Sequence, residues 1–246
     1  MPSALLIIVT AFVTAFLSGI LGMAGGLILM GVLALLLPVS AAFVTHGILQ
    51  LVANGWRAVV HRRYVDWAIL RTYGLASFAA AAVVSLVGFT PSRPLLFLLL
   101  GLVPMLAWLP RRWVRLDAAR TPHAFISGFM VTGLNLTAGV AGPLLDIFFV
   151  RTPLTRHQIV ATKAATQVFS HLAKIIVFGA PLMGNDTAGM PPAWVFAVAI
   201  PLSMAGTMCG GWVLDRISDV NFKRWTAIIV TIIGLLYLVK AAQAWA

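Results

Sequence analysis

The chain has one cysteine, Cys209, and only six acidic residues in 246 positions. A lone cysteine cannot close an internal disulfide, so Cys209 is expected to pack as a small hydrophobe within a helix. Charge of either sign is scarce: 9% of the residues are charged, against 61% hydrophobic. So little charge leaves no room for a soluble domain. Also missing are His-Glu-x-x-His, Gly-x-Ser-x-Gly, a Walker loop and any Cys/His cluster with metal-ligand spacing. Their absence speaks against enzyme chemistry, a metal site, a bound cofactor and a self-contained ATP-driven pump. Met1-Pro2-Ser3-Ala4 carries no positive charge ahead of its apolar run, so it lacks the basic region of a cleavable signal peptide. The first helix is expected to start there.

What fills the chain instead is a succession of apolar runs, roughly 4–21, 26–37, 41–60, 66–88, 94–109, 123–137, 139–150, 157–179, 193–213 and 225–245. About 20 apolar residues rising 1.5 Å each cross the hydrocarbon core of a bilayer. The expected fold is an all-α, polytopic transmembrane helical bundle in a lipid bilayer. The net charge of +11 fits this fold without nucleic acid, because the basic residues gather in short connections. Thirteen of the 17 Lys and Arg lie in or beside four such connections: Arg57, Arg62, Arg63 and Arg71; Arg111, Arg112, Arg115 and Arg120; Arg151 and Arg156; Arg216, Lys223 and Arg224. Such connections face the cytoplasm, whereas those around Pro38, Phe89–Pro94 and Ala180–Pro192 hold only Arg93 and face the other side. A nucleic-acid patch needs a soluble basic face, and none is present. Both termini are then expected outside, in the periplasm of an inner (plasma) membrane.

Two runs, 26–37 and 139–150, are too short to span untilted, and each follows a glycine-rich break. The breaks are Gly22-Met23-Ala24-Gly25-Gly26 and Gly139-Val140-Ala141-Gly142-Pro143. Their surroundings correspond. Phe16-Leu17-Ser18-Gly19 matches Phe125-Ile126-Ser127-Gly128, and Pro38 matches Pro153. Thr45, His46, Gln50, Asn54 and Arg57 align without a gap on Thr162, Lys163, Gln167, His171 and Lys174. The four longer side chains of each set lie at i, i+4, i+8 and i+11, within about 80° of one helix face. Residues 1–110 and 111–246 therefore read as two repeats. Five segments each is an odd number, so the second is inserted upside down. Inverted-topology repeats with glycine-broken or hairpin helices place a transport site near the midplane, where the halves meet.

The opening Phe16-Leu17-Ser18-Gly19-Ile20-Leu21-Gly22-Met23-Ala24-Gly25-Gly26, the turn His61-Arg62-Arg63-Tyr64-Val65-Asp66-Trp67 and the duplicated arrangement resemble the TauE/SafE (sulfite exporter) family. The resemblance runs over essentially the whole chain. It implies a polytopic permease for small sulfur-containing or organic anions such as sulfite, thiosulfate or sulfonates, often in the bacterial inner membrane. Two features depart from the family pattern. Leu29-Met30-Gly31 stands where the family usually has a proline, and the second repeat inserts Met130–Leu136, with Thr132 and Asn135, before its glycine break.

An anion inside a membrane needs positive charge and hydrogen-bond donors. The stripes offer amides (Gln50, Asn54, Gln167), imidazoles (His46, His171) and cations (Arg57, Lys163, Lys174). Gly25, Gly26, Gly139 and Gly142 offer free backbone N–H groups and helix N-termini. Lys163 is expected to carry the substrate's charge. Asp146, the one carboxylate deep in an apolar run, either pairs with Lys163 or takes up a coupling proton. Plainer readings stand beside these. Gln and Asn serve as glue between helices, the glycines permit close packing, and Arg57 and Lys174 snorkel from segment ends. Tryptophans at segment ends read as interfacial anchors. The expected function is secondary transport of a small anion by alternating access. The alternatives are a non-transporting scaffold or anchor subunit and an anion channel.

Overall fold

In lipid every backbone N–H and C=O must be satisfied within the protein, so each apolar run is driven to close its own hydrogen bonds as a helix. The computed structural model describes residues 2–21, 24–109, 116–149, 151–184, 189–214, 216 and 219–245. Gly22, Met23, Arg111, Arg112, Trp113, Arg115, Asp186 and Asp215 lie outside the described residues, as do the side chains of Asp219, Lys223, Arg224 and Trp225. Among the described residues there are ten α-helices and no strand. They are α1 (Pro2–Leu21), α2 (Ala24–Leu36), α3 (Val39–Val60), α4 (Trp67–Val87), α5 (Arg93–Leu102), α6 (Thr121–Ala138), α7 (Gly142–Phe149), α8 (Arg156–Gly184), α9 (Ala193–Leu214) and α10 (Asp219–Trp245). Each expected segment is met by one helix. The chain is an all-α, multi-pass membrane bundle.

Five helices, α1, α4, α8, α9 and α10, are long and apolar enough to cross a membrane. The 22-residue α3 has the length of a span, and its polar stripe lowers its hydropathy below theirs. The 13-residue α2 and the 8-residue α7 rise only about 20 and 12 Å, well short of a ~30 Å hydrocarbon core. α8 runs on to Gly184 and α10 starts at Asp219, beyond the expected bounds, and two other departures have identifiable reasons. The run 94–109 gives way to a 3₁₀ turn at Val103–Trp108, where Pro104 has no N–H to continue the α ladder. The second short helix starts at Gly142, because Gly139 ends α6 in the left-handed conformation with φ of 79°.

Local signals fix the other ends. Asp66 caps α4 by accepting from the N–H groups of Ala68 and Ile69, both at 3.0 Å. Ser92 caps α5, and Gly88 terminates α4 at φ of 65°. Arg93 donates to the carbonyl of Leu37 at 3.0 Å, beside the C-terminal end of α2, where a cation is favoured. That contact gives the one basic residue of the sparse connections a structural role.

The halves interleave. α1 packs along α9, α4 along α6, α3 along α8 and α5 along α10, while α4 also meets α8 and α3 meets α9. Small residues set the closest approaches. A Cβ on Gly19 would lie 2.8 Å from Gly210 Cα of α9, and one on Gly128 would lie 2.9 Å from Tyr73 Cα of α4. These are the two glycines of the matched Ser-Gly pairs, and each sits at its own helix's crossing with a helix of the other half. Leu75, Leu86 and Trp212 stand on the outside, 69%, 88% and 65% exposed, as side chains that meet lipid do.

Candidate functional site

The two stripes lie on one helix pair, and the pair is antiparallel. Gly47 of α3 sits against Ile175 and the His171 carbonyl of α8, Gly55 sits against Val168, and the Asp66 N–H donates to Thr162 Oγ1. The order of polar residues along α3 therefore runs opposite to that along α8. His46 meets Lys174 at one end, and Arg57 falls level with Lys163 at the other. The amides lie between.

That middle region encloses a cavity of about 60 Å³, the space of a few waters or one small oxyanion. Its polar lining is His46, Gln50 and Asn54 from α3, Gln167 and His171 from α8, and Asn135 from α6. Its backbone lining comes from the first turns of the two short helices, at Gly26 on one side and Gly142 and Pro143 on the other. Leu27 and Val230 add apolar wall. A Cβ on Gly26 would stand 3.4 Å from Gln50 Nε2, so the bare glycine leaves this side of the cavity open. Asn54 Nδ2 donates to Gln50 Oε1 at 3.2 Å and to the Gln50 carbonyl at 3.0 Å. With its oxygen taken, Gln50 turns its NH₂ toward Gly26. Asn135 Oδ1, Gln167 Oε1 and His171 Nδ1 are buried without a protein partner. Buried polar atoms are nearly always satisfied, and three orphans around one cavity mark a place for a polar guest. A half-turn of either amide presents NH₂ in place of oxygen.

Lys174, which is fully buried, lies behind His46, just outside the cavity lining. Its Nζ donates to the Gly139 carbonyl at 2.6 Å and contacts His46 Nδ1 at 3.1 Å, and it lies 5.3 Å from the Phe43 ring centroid. His46 Nε2 is 3.0 Å from the Gly26 carbonyl, an atom that only accepts. The imidazole proton therefore sits on Nε2, and Nδ1 accepts from Lys174. No carboxylate among the described residues pairs with this lysine. The snorkelling reading of Lys174 does not hold, because the ammonium turns inward, midway along a 29-residue helix.

The other end holds Lys163 ion-paired with Asp146. These residues are outside the cavity lining, one helical turn beyond Gln167 on α8 and Gly142 on α7. Arg57 stands at this same end, level with Lys163 in the antiparallel register of α3 and α8. Of the four candidate glycines, Gly26 and Gly142 line the cavity and Gly139 supplies the carbonyl that holds Lys174. Gly25 is instead packed against the α1 backbone at Thr14, as the close-packing reading has it.

Asn135 was not among the residues expected at the site. Its signal was its place in the inserted segment Met130–Leu136, as the only amide of α6. One turn earlier, Thr132 joins Ser77 of α4 and Ser170 of α8 at 2.9 and 2.8 Å, and Ser170 contacts Tyr73 Oη at 2.8 Å. This hydroxyl network ties α6 to its neighbours and sets Asn135 at the cavity wall. Among the described residues no group of His, Cys and Asp side chains is arranged to hold a metal. The family model described as Sulfite exporter TauE/SafE matches residues 7–237 of the chain. No match was found among curated proteins or solved structures.

Proposed function

Because the chain belongs to the sulfite exporter TauE/SafE family of membrane transporters, we propose that it carries a small sulfur-containing or organic anion through the cavity between α3 and α8 by alternating access. The observation that carries this reading is the cavity's composition. Six long polar side chains from three helices converge there, three of them with an unpartnered atom, beside a buried lysine that no carboxylate neutralises. A buried cation is unfavourable in a membrane interior unless something negative visits it. Sulfite, thiosulfate and sulfonates present several oxygen acceptors on one centre and suit convergent amide, imidazole and backbone N–H donors.

The packing supports two inverted repeats. Exchanging the halves turns α1 on α9 into α6 on α4 and α4 on α8 into α9 on α3, while α3 on α8 and α5 on α10 map onto themselves. It also turns the His46–Lys174 contact into the Lys163–Arg57 approach. Two helices related in this way exchange roles when a site opens first to one side and then to the other. We place Gln50, Gln167, Asn54, His46, His171 and Lys174 on the anion, with Gly26 and Gly142 at the short-helix starts and Gly139 as support for Lys174. A coupling proton, where one accompanies the anion, belongs on Asp146. The direct test is titration of the purified protein with sulfite, thiosulfate, small sulfonates and carboxylates. Saturable binding of a sulfur oxyanion is expected, and binding of none of these anions would overturn the reading.

The basic connections support an orientation in an inner membrane with both termini in the periplasm. A reporter active only in the cytoplasm, fused after Ala246, is expected to stay silent. A strong signal there would remove the inverted arrangement.

A further inference from the structure

Among the described residues, Arg57 and Lys163 at the basic end of the α3–α8 pair share one ion pair, Lys163 with Asp146. Arg57 has no hydrogen-bond or ion-pair partner among the described residues, although a guanidinium offers five N–H donors. Lys163 has one partner, Asp146, and that partner is a carboxylate on the short helix α7, one turn from the cavity wall at Gly142. Two cations and one carboxylate leave a net positive cluster. It sits one turn from Gln167, at the end of α3 that leads into the basic turn Arg62–Tyr64.

The geometry points to a second anion site here, formed by Arg57 and Lys163, in which Asp146 stands as a resident carboxylate until a free oxyanion displaces it. The inference rests on the proposed transport reading and adds a station to it. A carboxylate and a sulfite or sulfonate make the same demand on an ammonium, so they compete for Lys163. The displacement is permitted because the pair is not sealed: the side chains of Lys163 and Asp146 are 27% and 29% exposed. Lys174 at the opposite end has no such competitor. The two ends therefore differ in what an arriving anion must do. It displaces a carboxylate at one and nothing at the other.

A competitor that occupies a site most of the time lowers apparent affinity by the fraction of time the site is free. Removing it restores that factor. The experiment titrates the full-length, detergent-solubilised protein with sulfite and with thiosulfate, in wild type, Asp146→Asn, Lys163→Met, the double variant and Arg57→Gln. Asp146→Asn is expected to bind about tenfold tighter, or to show an added binding event, and this gain should vanish when Lys163 is Met. Arg57→Gln, which breaks no side-chain hydrogen bond or ion pair among the described residues, is expected to weaken binding about fivefold. Should Asp146→Asn fail to fold, Arg57→Gln decides alone. Unchanged affinity in Arg57→Gln, or equal or weaker binding in a folded Asp146→Asn, overturns the second site. Gln167→Leu separates the two claims. If it loses the anion while Arg57→Gln does not, the central cavity stands and the second site falls. If wild type binds neither anion, the transport reading falls and this site with it.

Discussion

The two ends of the α3–α8 pair carry residues that align in the sequence, and they differ in their surroundings. At one end Lys174 is fully buried and held by a carbonyl and a neutral imidazole. At the other Lys163, aligned with His46, is partly exposed and held by Asp146. The aligned stripes place a lysine near each end, and the two lysines differ in their neighbours. A lysine with only neutral acceptors has no resident carboxylate for a ligand to displace. A lysine with a carboxylate has spent most of that field on its partner. The difference lies in the neighbours, Gly139 against Asp146, more than in the stripe itself.

The largest effect that could break this comparison comes from removing each amine in turn. Lys174→Met deletes a buried charge and strands no carboxylate, so its melting temperature is expected to match or exceed that of wild type. Its anion affinity should fall about 100-fold, the upper range for a charge-assisted hydrogen bond of ~3 kcal/mol. Lys163→Met does the reverse. It leaves Asp146 alone, and stability should fall by roughly 1–3 kcal/mol, less than the ~3–5 kcal/mol of a sealed pair because this one is partly solvated. Melting curves and titrations of the two variants side by side check both expectations. A Lys174→Met protein that binds like wild type would end the assignment of this end to the anion.

A middle-sized effect sharpens the picture of what lies between the ends. Gln50→Leu and Gln167→Leu should each lower affinity about tenfold, or ~1.4 kcal/mol, by removing one amide donor. If both amides hold one anion, the double variant should depart from the product of the single losses by at least ~0.5 kcal/mol. Strict additivity in the titrations would mean that the two glutamines serve separate sites.

The smallest effect concerns the glycines beside Lys174 and the cavity. Gly26→Ala adds a methyl at ordinary contact distance from Gln50, so affinity should drop only about threefold with stability unchanged. Gly25→Ala has no room against the α1 backbone, so its melting temperature should fall instead. Thermal melts and titrations of the two variants should therefore move in opposite columns.

Much of this was legible in the residues. Apolar runs bounded by Gly, Pro and Arg gave ten helices in the right places, because lipid leaves the backbone no alternative. Ser18-Gly19 and Ser127-Gly128 were legible only as matching positions; that both glycines sit at helix crossings comes from the structure. The stripes showed which faces of α3 and α8 are polar. They could not show which cation meets the cavity, since Lys163 and Lys174 share one face of one helix. What distinguishes them is their tertiary neighbours: the Gly139 carbonyl stands beside Lys174, where α6 ends in a left-handed turn, and Asp146 stands beside Lys163. Asn135 escaped notice because it stands on a helix without a stripe, and only the packing of α6 against α8 brings it to the site.

The central claim is that the transported anion sits between Gln50 and Gln167 with Lys174 at its back. Selenite, a tripodal oxyanion like sulfite, carries an anomalously scattering atom and can be located directly in crystals of the wild-type protein. A selenium peak inside the cavity is expected, with its oxygens within ~3 Å of the two glutamine amides. An empty cavity, with selenium found only at Arg57 and Lys163 or on the basic connections, would contradict it.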